Sequence, residues 1–246
     1  MTHTLPHRTD ETSAAAAVHD LGIVFNMTST RTPSSVTQQS EGGVHVRFRD
    51  LSLPHDAKGA VQWLRGDIAR NLVRAGITAQ VQLTRNEFPT VDITLPTTSD
   101  VRRFVSLVES GMSDLQRVGL HLRRALIEAD IDARVLAWDR DGTIELLRLN
   151  IEPALDLYRV LRGELGQPTG VGIETWSEIL EFAMDLMNAL HQAAGISLLV
   201  DPKPACDSCR QPNRMVISPM DADEAKALTA AIARRGAPAE SLLEGP

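Results

Sequence analysis

Three helix-like stretches of this chain end on the same kind of junction. "LVRAGITAQVQL" places Ala75, Gly76 and Ile77 there, "LIEADIDARVLAW" places Ala129, Asp130 and Ile131, and "HQAAGISLLVD" places Ala194, Gly195 and Ile196. A glycine or aspartate just past the last helical turn suits a left-handed cap that reverses the chain into a strand. Ahead of each junction, apolar residues recur mostly every three or four positions, the period of a helix with one buried stripe. The stripes are Val61, Leu64, Ile68, Leu72 and Val73; then Leu115, Val118, Leu122 and Leu126, with Ser113 as N-cap; then Ile179, Phe182, Met187 and Leu190.

Beyond each junction the pattern predicts two strands and another helix. The second strands and closing helices are "TVDITL" with "SDVRRFVSLV", "TIELLRL" with "EPALDLYRVLRGEL", and "RMVISP" with "DADEAKALTAAIARRG". Ile93, Leu146 and Ile217 hold matching strand positions, and Phe104, Leu157 and Leu228 hold matching helix positions. An extra strand comes first, where "VHVRFRDLSL" alternates Val44, Val46 and Phe48 with His45, Arg47 and Arg49. A lone hairpin is marginal in water, so the hairpins must pair with one another or share a layer of helices. The expected fold is α+β: three αββα repeat units with an extra N-terminal strand, in antiparallel sheet or sheets covered by helices.

Boundaries follow from the same patterns. Residues 1–42 read as a disordered or loosely helical tail, because "MTSTRTPSSVTQQSEGG" offers too little apolar surface to offset ordering. Residues 43–165 read as two units sharing a core (43–110 and 111–165). Residues 171–236 read as the third unit and 237–246 as a C-terminal tail. "GQPTGVGIETW" then serves as the linker into the third unit.

Composition removes several function classes. Hydrophobic residues make up 43% of the chain but aromatics only 4%, so stacking platforms for single-stranded nucleic acid are scarce. A formal charge of -7 argues against a general polyanion binder. No stretch approaches the roughly 18–20 apolar residues of a membrane helix, so no membrane partner is expected. "SAAAAVHDLGIVF" is preceded by Asp10 and Glu11 and interrupted by His19 and Asp20, unlike an export signal. Two cysteines in 246 residues make no disulfide framework, which points to the cytoplasm.

Those cysteines, Cys206 and Cys209 in "ACDSCRQPNR", are the main candidate site. Cys-x-x-Cys between two strands suits a bare turn, one knuckle of a structural zinc site, or a redox pair. A closed zinc site needs four ligands, and no second such pair is present. Two chains with two thiolates each would complete one, making zinc an assembly element of a homodimer. The redox reading needs a following helix to lower the thiol pKa, whereas Pro212, Asn213 and a strand follow here. The cofactor expected is therefore none, or zinc at Cys206 and Cys209.

Other motifs weigh less. "DRDGTIE" begins like a calcium loop but lacks the later acidic ligands, and Asp-Gly between strands reads as a tight turn. Asp92 and Glu145 hold matching positions in the first two units, where catalysis would require them to converge. Arg102, Arg103, Arg117, Arg123 and Arg124, with His121, form either a basic face or a solvated surface paired with local acids. No nucleophile elbow, phosphate loop or dinucleotide fingerprint is present. The function expected is a non-enzymatic cytoplasmic interaction or regulatory protein that presents hairpin loops to a protein partner. The alternative is a zinc-binding, dimeric, nucleic-acid-associated protein that uses the CxxC hairpin.

Overall fold

A computed structural model of the chain describes residues 8–27, 35–39, 43–49, 58–84, 90–147, 149–163, 173, 175–205 and 212–236. The chain divides into two compact units, Met1–Met112 and Ser113–Pro246. Both are α+β with antiparallel sheets, as the sequence pattern requires.

The first unit contains α1 (Arg8–Met27), β1 (Ser35–Gln38), β2 (Val44–Arg49), α2 (Lys58–Arg74), β3 (Gln80–Thr84), β4 (Thr90–Leu95) and α3 (Thr98–Ser110). Its strands order as β1–β2–β4–β3, every neighbour antiparallel. Val44 and Val46 of β2, Val81 of β3, and Val91, Ile93 and Leu95 of β4 are buried. Phe25 of α1 meets Phe48 edge-on at 5.3 Å and Phe104 of α3 at 5.9 Å. Leu21 and Val24 of α1 are wholly buried. The span 1–42, expected as a tail, therefore holds a helix and an edge strand that complete this core. Val73 departs from its expected place in the α2 stripe and is 75% exposed; Val61 and Leu64 have side chains outside the described residues.

The second unit contains α4 (Asp114–Glu128), β5 (Arg134–Trp138), β6 (Thr143–Leu147), β7 (Leu149–Asn150), α5 (Ile151–Arg162), α6 (Trp176–Ala194), β8 (Val200–Lys203), β9 (Arg214–Ile217) and α7 (Ala222–Gly236). β5 pairs with β6, and a second sheet runs β7–β9–β8. Ile144 and Met220 join them by exchanging both backbone hydrogen bonds, at 2.8 and 2.9 Å. Five steps from Ile144 to Leu149 answer five steps from Met220 back to Met215, so the pairing count is kept. Ile144, Leu146 and Leu149 are buried, as are Met215, Ile217 and Met220. The second and third hairpins thus complete one another, the solution expected for hairpins too weak to stand alone.

The three junctions take the expected form. Gly76, Asp130 and Gly195 have φ of 67°, 59° and 71°, and Asp130 is the one non-glycine residue with positive φ among the described residues. Ile77, Ile131 and Ile196 behind them are buried. Ser113 caps α4 in a capping box with Gln116, and Thr175 caps α6 with Glu178. In element order a helix precedes each hairpin, α1 before β1–β2 included. In the first unit the second strands of the two hairpins, β2 and β4, pair directly; in the second, β9 pairs with β7, the short strand that follows β6. The boundary falls after Met112, whereas the sequence pattern groups 43–165.

Candidate protein-binding surface

Cys206 and Cys209 lie outside the described residues. At the base of their hairpin, Ala205 N donates to Asn213 Oδ1 at 2.7 Å, below which Lys203 pairs with Arg214. His191, the nearest histidine in sequence, is exposed, and its Nδ1 lies 3.3 Å from Ser197 Oγ. Among the described residues no group of three or more His, Cys, Asp or Glu is placed to hold a metal ion. No described helix is long and apolar enough to cross a membrane.

The sequence candidates find local roles. Asp139 accepts a hydrogen bond from Ser113 Oγ, which ties the turn to the α4 cap. Trp138 O accepts from Asp141 N and Gly142 N, so "DRDG" forms a tight turn, with Gly142 at φ 66°. Arg117 pairs with Asp114 at 2.9 Å, and Arg123 donates to Ala133 O. Burial draws the Arg123 guanidinium below its ordinary value, with Asp132 opposing. Arg103 donates to Gly76 O at 2.6 Å, satisfying a carbonyl where α2 ends. It lines an open depression of about 390 Å³ with Ala75, Ser99, Arg102, Ser106 and Leu107. These arginines mostly serve the scaffold.

Asp92 and Glu145 belong to different units, and only Asp92 is buried. Asp92 sits on the sheet face opposite Val91 and Ile93, directly across from Arg47. Its Oδ1 accepts from Arg47 Nε at 2.7 Å and lies 3.2 Å from His45 Nε2. The cluster neutralises a carboxylate only 5% exposed and pins β2 to β4. This ion pair was missed by spacing alone because its partners lie 45 residues apart and meet only through sheet register.

The most unusual surface is on α6. Its buried face is complete, with Ile179, Phe182, Ala183, Leu186, Ala189, Leu190 and Ala193. Even so, Trp176, Leu180 and Met184 are 43%, 45% and 63% exposed. They stand four residues apart, so they line up along one side of the helix. The half-buried Met187 continues the row.

No family model, curated protein or solved structure matches this chain. What α6 does must therefore be argued from its own surface. Scattered apolar residues are ordinary on soluble proteins, but a contiguous row marks an interaction face. Sequence reasoning chose Ile179, Phe182, Met187 and Leu190 as the stripe and passed over this second row. The signal was available, because apolar residues on α6 spread too widely for one buried face.

Proposed function

We propose that the chain is a non-enzymatic interaction protein that binds another protein along α6. The exposed Trp176–Leu180–Met184 row carries this reading. Tryptophan and methionine are characteristic anchors of protein interfaces, and a helix backed by a rigid core presents them with little ordering cost. The contact surface is thus a helix face rather than the hairpin loops expected from sequence. Affinity capture from the native host with wild-type protein and with L180D/M184D tests it, melting curves showing both to be folded. One partner retained by the wild type and lost by the variant is expected. An identical set of captured proteins would defeat it.

A second reading is favoured by the closed base of the third hairpin, where Ala205 N meets Asn213 Oδ1. That anchor supports Cys206 and Cys209 as a two-thiolate knuckle, with zinc shared between two chains in a nucleic-acid-associated dimer.

A further inference from the structure

We propose that the occupant of the α6 row is a basic amphipathic helix of a partner protein. It rests on the reading of α6 as a binding face and adds the chemistry of what binds there. Four aspartates on other helices are answered from within. Asp67 pairs with Arg70, Asp114 with Arg117, Asp156 with Arg159 and Asp223 with Lys226, each three residues on.

α6 has no such pair. Its 19 residues include no lysine or arginine. Three residues on from Glu181 and Asp185 stand Met184 and Asn188. Glu178 is used by the capping box, but Glu181 and Asp185 are exposed, with no ion pair among the described residues.

The two features adjoin. At about 100° per residue, Trp176, Leu180 and Met184 fill an arc of about 80°. One side of that arc merges with buried Ala183 and Leu190; the other passes through Ser177 and Asn188 to Glu181 and Asp185. A helix laid in the row therefore rests its apolar side on Trp176, Leu180 and Met184 and one flank over two unanswered carboxylates. Lysine or arginine on that flank supplies the missing charge.

The same acids disfavour other occupants. Two copies of α6 face to face would bring four carboxylates together without a lysine or arginine from either helix. An anionic lipid surface would be repelled by them, whereas membrane-seeking helices carry basic flanks.

The test uses fluorescein-labelled helical peptides of about 18 residues, built from Leu with Lys, Gln or Glu at helical period. Anisotropy is read against the full chain at low and high salt. The Leu/Lys peptide is expected to bind, more weakly as salt rises, and the Leu/Glu peptide not at all. E181K/D185K should weaken Leu/Lys binding roughly tenfold and admit Leu/Glu. L180D/M184D should abolish both.

If Leu/Gln binds as tightly as Leu/Lys and charge reversal changes nothing, the basic partner is wrong while α6 docking stands. If L180D/M184D binds every peptide like the wild type, the docking face itself is wrong. A wild-type dimer that becomes monomeric in L180D/M184D would overturn the proposal in favour of a second copy.

Discussion

Gly195→Ala isolates the cost of the left-handed junction from any cost of packing. Gly195 has φ 71°, and a Cβ built there meets nothing within 4 Å, so the substitution adds no clash. A left-handed L-residue costs about 1–2 kcal/mol, and the loss of unfolded-state freedom returns about 0.4–1 kcal/mol. The net loss should be close to 1 kcal/mol. Asp130→Gly runs the experiment backwards. Asp130 is exposed at φ 59°, and its carboxylate has no partner among the described residues. Relieving its backbone should therefore gain about 0.5 kcal/mol after the entropy of glycine is subtracted. Calorimetry of the full chain would read these as shifts of about 3–6 °C downward and about 2–3 °C upward in the second unit's transition. Refutation would be Gly195→Ala melting with the wild type, or Asp130→Gly melting lower. Either result would mean that something other than the φ requirement holds these junctions.

Removing the α7 cap should cost about 1 kcal/mol, because Asp221 Oδ1 accepts from Asp223 N and Glu224 N while Glu224 Oε2 accepts from Asp221 N. Asp221→Ala in a thermal melt measures it. At the first unit's ion pair, Arg47→Ala should destabilise more than Asp92→Asn, by about 2 against 1 kcal/mol. The first takes a cation from a buried carboxylate, whereas the second leaves a half-exposed guanidinium that can turn to water; urea unfolding gives the order. Lys226 holds Asp223 below the usual carboxylate range, mainly through their hydrogen bond. Whatever stability that pair gives is present above the ordinary carboxylate pKa and lost on acidification. Lys226→Ala should thus narrow the gap between neutral and acid melting temperatures only slightly, since both groups are exposed. Elemental analysis should find zinc near one atom per two chains if the third hairpin bridges a dimer, and Cys206→Ser should then release it.

Local grammar was legible wherever the physics was local. The Ala-Gly-Ile and Ala-Asp-Ile junctions specify left-handed φ and a buried isoleucine, both of which are found. Capping by Ser113 needs only Gln116 three residues on. What escaped depends on distant partners. β1 is four residues, "SVTQ", with no apolar alternation; it becomes a strand only because β2 offers it hydrogen bonds. In α1 the alanine run blurs any stripe, and Phe25 is revealed as core by Phe48 and Phe104, which lie far along the chain. The division after Met112 likewise follows from which hairpins pair, and pairing is non-local.

Two independent rules fail at one place, which is the stronger argument for α6. A helix of a folded domain normally buries its apolar residues and pairs its charges, and natural sequences depart from such consistency chiefly at functional sites. The apolar rule fails at Trp176, Leu180 and Met184, and the charge rule at Glu181 and Asp185. Neither failure follows from the other: an exposed methionine does not require an unpaired aspartate. Aspartates on α2, α4, α5 and α7 each pair with a cation three residues on, an arrangement that α6, without lysine or arginine, cannot make. A partner helix with an apolar side and a basic flank repairs both at once, burying the row and supplying the cations that α6 lacks.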